Sequence, residues 1–273
     1  SGGNQSNCGT WMDKMGDNGV PATSRHGCAV ELTVLFYSLL KFIRKNSRKE
    51  SSDKSSVPAL FQNYFSDQDL AKFMIFEKSI LKNFQSEFFV KKLNDKNQKQ
   101  TDQFYNDCLY PHGHTSLEQR PNQFIAMTAL DCEDLFDDDL QKEIIMSSLK
   151  NQMLGRLGLA TLSPTDPNYS PYYDGGDNYH QGPEWLWVNG CFLKQIWNLT
   201  KSNSKLEAAD KVLIRDGLFQ YLNNHLEIMY GENWLGLPEL TNKNGEKCHR
   251  SCPGQAGSNG LFSELGKEIE NYQ

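Results

Sequence analysis

Apolar positions along this chain recur with the spacing of helices. From Ala29 a stripe of Val30, Val34, Leu35, Tyr37, Leu39, Phe42 and Ile43 predicts a helix that runs into the basic cluster Arg44-Lys45 to Arg48-Lys49. Cations suit a helix C-terminus because the last carbonyls carry partial negative charge. A second helix is expected from about Asp67 to Val90, where Leu70, Phe73, Met74, Glu77, Ile80, Leu81, Phe84 and Phe88 follow an i, i+3, i+4 pattern. Its phenylalanines read as core rather than as a ligand box. Pro121 leads a further helix through Phe124-Ile125-Ala126-Met127, since a first-turn proline loses no hydrogen bond. Another is expected from about Asp137 to Leu154, with Leu140, Ile144, Ile145, Leu149 and Met153 on one face. Pro183 is expected to open the next, with Glu184, Trp185 and Trp187 in its first turn and Phe192, Leu193, Ile196 and Trp197 deeper. A last long helix is expected from about Leu206 to Tyr230.

The segments between are different in kind. Residues 1–26 read as loop, 46–57 as a Ser-, Lys- and Asp-rich linker, and 91–119 as polar connection. Residues 155–182 form the longest stretch without periodicity, and long aperiodic loops in compact domains are often functional. Gly254, Gly257 and Gly260 argue against a closing helix. No stretch alternates as a strand does, so the expected class is all-α, with about six helices and candidate site residues in the loops between them.

Composition narrows this picture. At 273 residues the chain can form one large domain or two small ones. It is 38% hydrophobic with a mean hydropathy of −0.63, and no apolar run is long enough to cross a bilayer. The net charge of −6 argues against nucleic acid as a partner. Seven cysteines are scattered without CxxC spacing, which fits reduced thiols better than a disulfide framework or zinc site. His112 and His114 lack the further ligands a metal would need. No dinucleotide or phosphate-loop glycine pattern occurs, and no cofactor or metal is expected.

Candidate chemistry gathers in four stretches. Asn7-Cys8-Gly9-Thr10-Trp11-Met12-Asp13-Lys14-Met15-Gly16 sets a carboxylate beside an indole, between glycines. The indole offers a flat apolar face to the C–H side of a sugar ring, and Asp13 can carry or give a proton. By itself such a pair is also what an exposed loop contains. Arg120-Pro121-Asn122 stands at a helix mouth, where a structural salt bridge and cap is the plain reading. Tyr179-His180-Gln181-Gly182-Pro183-Glu184-Trp185-Leu186-Trp187 adds aromatic and polar groups, although Glu184 suits a helix N-terminus with or without a function. Gly236-Leu237-Pro238-Glu239-Leu240-Thr241-Asn242, after Trp234, puts an acid at the tip of a loop.

Together with Gly19-Val20-Pro21-Ala22-Thr23, these strings resemble the C-terminal amylo-alpha-1,6-glucosidase part of the eukaryotic glycogen debranching enzymes, from about residue 2 to about residue 252. The resemblance implies an (α/α) toroid of helical hairpins, of which this chain would be the C-terminal half of a six-hairpin barrel. It implies residues 1–252 as the C-terminal part of the glucosidase domain and 253–273 as a diverged tail. Inner-helix faces that should meet absent helices would then be exposed. The chemistry implied is inverting hydrolysis of single α-1,6-linked glucosyl stubs of limit dextrin, releasing glucose. Asp13 would be the general acid and Glu239 the general base acting on water, with carboxyls about 6.5–9.5 Å apart. Burial beside Trp11 would help Asp13 hold its proton. Trp11, Tyr173, Tyr179, Trp185, Trp187 and Trp234 would stack on sugar or floor the pocket; Arg120, Asn122, His180, Gln181 and Glu184 would contact hydroxyls. Implied partners are glycogen or limit dextrin and the missing N-terminal part of the same enzyme, in the cytoplasm, with no nucleic acid and no membrane. The start at Ser1 rather than Met reads as a piece of a longer protein.

The chain departs from that family in places. Ser24-Arg25-His26-Gly27 stands where the family has Pro-Arg-Asp-Gly, the Met15–Gly19 connection is shorter, and the tail lacks the Thr-Gln-Ala-Trp run. Two other classes therefore stay open: a catalytically incomplete fragment acting at most as an α-glucan-binding module, and a purely structural helical protein.

Overall fold

The computed structural model describes residues 3–4, 6–47, 64–93, 101–113, 116–231 and 236–272. Much of the expected linker, His114 and Trp234 lie outside the described residues. Helices dominate: α1 (Val30–Ser47), α2 (Asp67–Phe88), α3 (Asn122–Met127), α4 (Asp138–Lys150), α5 (Leu186–Ser202), α6 (Ala208–Gly231) and α7 (Ala256–Glu270). α1 buries Val30, Val34, Tyr37, Leu40 and Ile43 along one face, with Glu31 in its first turn and Arg44 and Lys45 in its last. Ser66 and Asp69 form a capping box at the start of α2, and Asp137 caps α4 by accepting from the Leu140 N–H. α1, α3, α5 and α7 lie side by side in that order. α2 packs on α1, α4 on α5, and α6 on α5 and α7.

Three expectations are corrected. The helix expected to reach Val90 stops at Phe88, and the described residues of the polar connection after it include strand. Nine short strands are present among the described residues: β1 (Gly3–Asn4), β2 (Asn7–Cys8), β3 (Cys28–Ala29), β4 (Phe89–Leu93), β5 (Thr101–Tyr105), β6 (Cys108–Leu109), β7 (Leu159–Ala160), β8 (Glu184–Trp185) and β9 (Leu240–Thr241). β4 and β5 pair antiparallel, and Phe89 turns extended because its ring joins Tyr105 rather than the helix. Second, Pro183 does not open a helix. Glu184 and Trp185 pair with β7 on one edge and β9 on the other, so α5 starts only at Leu186.

Third, the glycine-rich tail does form a closing helix. Ser258, Phe262, Leu265 and Ile269 bury along one face of α7 against α5 and α6. A Cβ at Gly190 of α5 would lie 2.7 Å from Leu261, so that glycine lets the two helices approach closely. Tertiary packing of this face outweighs the poor intrinsic propensity of Gly257, Gly260 and Gly266.

Candidate active site

The N-terminal ends of α1, α3, α5 and α7 meet at one end of the molecule, where the loops collect. At the opening stretch the chain folds back on itself: Ala22 donates to the Lys14 carbonyl at 2.9 Å, Gly16 to Val20 at 2.8 Å, and Met15 bridges Pro21. Gly19 adopts φ +76° at the turn, a conformation that suits glycine. Met12 is buried and anchors the strand, which leaves Asp13 exposed at its edge. The expected burial of Asp13 beside Trp11 is therefore not what the fold provides. Among the described residues no donor reaches its carboxylate.

Trp11 is fixed instead. Its Nε1 donates to Asn122 Oδ1 at 2.7 Å, at the first residue of α3. Asn122 is fully buried, and its Nδ2 donates to Asp107 Oδ1 at 2.7 Å, which settles the orientation of the amide. Asp107 also accepts from Arg25 Nε at 2.7 Å, and Arg25 forks to Glu31 at the start of α1. All three charged groups are buried. Burial pulls the Arg25 guanidinium down, but Asp107 and Glu31 outweigh it and hold it above its usual value. Burial pushes Glu31 up against the pull of Arg25. Sequence reasoning met Arg25 only within Ser24-Arg25-His26-Gly27 and missed Glu31 and Asp107, because Arg25 and Asp107 meet across the chain and neither belongs to an aromatic motif.

Around Trp11 stands a continuous aromatic floor. Its ring centroid lies 5.1 Å from His180, 5.0 Å from Trp185 and 4.9 Å from Trp187, in edge-on geometries. His180 stacks on Trp185 at 5.0 Å, and Tyr179 sits 4.7 Å from Tyr173, 4.7 Å from His180 and 4.9 Å from Trp185. Edge-to-face contacts of this kind add to the burial of the rings. His180 is completely buried; burial, reinforced by Arg120 and Arg25, pushes its imidazole down to about 3, so it is neutral.

Glu239 faces this floor from the loop before β9. Its N–H donates to the Cys252 carbonyl at 2.9 Å, and its carbonyl accepts from Leu186 at the start of α5 at 3.3 Å. The carboxylate Oε2 accepts from the Tyr179 hydroxyl, and Oε1 accepts from Gln255 Nε2 at 3.0 Å. Burial comes first in holding the Tyr179 hydroxyl well above its usual value, followed by the Glu239 hydrogen bond and charge, and Asp13 adds in the same direction.

The remaining predicted residues brace this assembly. Arg120 is buried and spans Thr161 and His180 carbonyls at 3.0 and 2.7 Å, Gln181 Oε1 at 2.8 Å and Glu118 at 2.9 Å. Gln181 reaches back to the Ala22 carbonyl and Thr23, both at 3.1 Å. Tyr173 is held by Asn242, which accepts from its N–H at 3.0 Å. Glu184 points to the other side of β8 from Trp185, as strand alternation requires. It accepts from Asn244 N–H at 2.6 Å and Gly245 N–H at 3.1 Å, and burial pushes its carboxyl up to about 7 against those bonds. A Cβ at position 155 would lie 2.1 Å from this carboxyl, so Gly155 is needed there. Gln255, which sequence reasoning missed, is the residue just before α7. Among the described residues no cluster of His, Cys, Asp and Glu could hold a metal ion, and no helix is long and apolar enough to cross a membrane.

Comparison with known proteins matches this chain to the family described as Amylo-alpha-1,6-glucosidase, over residues 1–264. The glycogen debranching enzyme of Saccharomyces cerevisiae (strain ATCC 204508 / S288c) is 33% identical over 298 aligned positions, covering 97% of this chain and 19% of that protein. The chain thus spans about a fifth of that relative's length. Among solved structures, an uncharacterized conserved protein from Thermus thermophilus shares the fold with a TM-score of 0.50 at 14% identity, over 86% of this chain and 46% of that one. A GH63 mannosylglycerate hydrolase from the same organism, in complex with glucose, gives a TM-score of 0.49 at 13% identity, over 86% and 47%.

Proposed function

The chain belongs to the amylo-alpha-1,6-glucosidase family, and from that membership we propose that it carries the catalytic pair of a glucosidase acting on single α-1,6-linked glucosyl stubs of glycogen limit dextrin, in the cytoplasm. Asp13 protonates the leaving oxygen, and Glu239 takes a proton from the water that attacks the anomeric carbon, with inversion of configuration. The observation that carries this reading is the Glu239 carboxylate held by Tyr179 and Gln255 at the edge of the aromatic floor that Trp11, two residues before Asp13, also builds. Trp11, Tyr173, Tyr179, Trp185, Trp187 and Trp234 supply ring faces for a sugar. Arg120, Asn122, His180, Gln181 and Glu184 serve by fixing those rings and the loops that carry them. A carboxyl separation of about 6.5–9.5 Å would admit the water this mechanism needs.

The row α1, α3, α5, α7 backed by α2, α4 and α6 supports a further step in the reading, that these hairpins are the C-terminal half of a toroid. Leu35, Phe36 and Leu39 leave an apolar stripe of α1 about half exposed, as a face that a further hairpin would cover. The exposure of Asp13 favours a second reading, in which this chain alone binds α-glucan without cleaving it. Glucose release from a limit dextrin trimmed to single α-1,6 stubs separates the two. It would be measured for this chain, for Asp13→Asn and for a longer chain carrying upstream sequence. Release by this chain that Asp13→Asn abolishes supports a self-sufficient glucosidase. Release by the longer chain alone supports the half-toroid. Co-sedimentation with glycogen and no release from either leaves the binding module.

A further inference from the structure

Glu239 and Gln255 are tied together through backbone and side chain. The Glu239 N–H donates to the Cys252 carbonyl at 2.9 Å, and the Gln255 N–H donates to the Leu237 carbonyl at 2.9 Å, so two backbone bonds tie the strands on which these side chains stand. The Gln255 carbonyl accepts from Asn259 Nδ2 at 2.9 Å, which roots it in the first turn of α7. Its side-chain Oε1 accepts from Ser258 Oγ at 3.1 Å, and Ser258 is fully buried. That bond turns Nε2 toward Glu239, where it donates to Oε1 at 3.0 Å. An amide nitrogen can only donate, so this contact takes up one acceptor site of the Glu239 carboxylate and fixes its direction. The Tyr179 hydroxyl holds the other oxygen.

We infer that Gln255 is a positioning residue for Glu239: a fixed donor at the mouth of α7 that aims the carboxylate, so that α7 belongs to the base's machinery. This rests on the reading of Glu239 as the general base. Losing a hydrogen bond to a charged group in this setting is worth about a 10- to 100-fold change. Gln255→Leu is therefore expected to lower kcat/KM by about 10- to 100-fold, through kcat with KM little changed. Gln255→Glu keeps the size, sets a like charge beside the base, and is expected to lose more at neutral pH.

A second readout needs no turnover. The Gln255 side-chain amide signals in a 1H–15N spectrum of this chain are expected to move as Glu239 ionises, and to stop moving in Glu239→Gln. Signals that ignore pH, or a Gln255→Leu enzyme with the parent's kcat/KM, overturn the inference. If Glu239→Gln releases glucose as well as the parent does, the base assignment fails instead, and the amide signals still decide whether Gln255 senses Glu239.

Discussion

The two carboxylates sit in unlike surroundings. Glu239 is half-buried, its backbone pinned to Cys252 and to Leu186 at the start of α5, its two oxygens gripped by Tyr179 and Gln255. Asp13 is exposed and ungripped among the described residues, although Trp11 two positions earlier is locked through Asn122 to a buried ion cluster. A base must be aimed before substrate arrives, and donors on both oxygens do that. An acid must instead hold a proton until the glycosidic oxygen takes it, and donors would work against that. On the proposed assignment, the scaffold grips the base at its carboxylate and the acid side only at the neighbouring indole.

Replacing each carboxylate tests the contrast with the largest effect. Glu239→Gln and Asp13→Asn are each expected to lower glucose release by about 10²–10⁴-fold. With α-glucosyl fluoride, whose leaving group needs no proton, Asp13→Asn should recover most of its activity and Glu239→Gln should not. Recovery of Glu239→Gln alone would mean that the roles are exchanged.

The next effect concerns the ground under Trp11. Arg25→Met strands Glu31 and Asp107, both buried, without their cation. Breaking a buried pair in this way costs about 3–5 kcal/mol, measured as a lower urea midpoint at constant slope. A loss below about 1 kcal/mol would show that the acid side lacks the rigid base described above.

The smallest effect concerns the floor that both halves share. Folded His180 stays neutral down to about 3, while the unfolded residue takes a proton below about 6.5. Its contribution is therefore intact above pH 6.5 and is lost as pH falls toward 3. At pH 4.5 the parent should have lost about 2–3 kcal/mol more, relative to pH 7.5, than His180→Leu does. Glu184 acts oppositely: its folded value near 7 means stability that is present below about 4.5 and lost as pH rises through 7. Equal acid sensitivity in the parent and His180→Leu would show that water reaches the imidazole.

Much of this arrangement was legible in the residue pattern, for reasons that separate by range. α1, α2 and α4 follow from local periodicity, and the aromatic strings that build the floor lie in continuous motifs. What could not be read there depends on distant partners. Glu184-Trp185 is a strand only because Leu159-Ala160 and Leu240-Thr241 flank it. The Arg25–Asp107 pair joins residues far apart in the chain. For α7 a signal existed: Phe262, Leu265 and Ile269 have helical spacing, but three glycines outweighed them until α5 supplied a surface. Missing that helix also hid Gln255, although Gln255-Ala256 keeps two letters of the family's Thr-Gln-Ala-Trp run.

The central claim is that Asp13 and Glu239 act from opposite sides of one anomeric carbon. The most direct test is the anomer of glucose released in the first minutes from α-1,6 stubs, followed by 1H NMR before mutarotation. Inversion predicts β-glucose first, turning to the equilibrium mixture afterwards, and absent from Glu239→Gln. Initial α-glucose would mean that Glu239 does not deliver water from the far side, and would contradict the account.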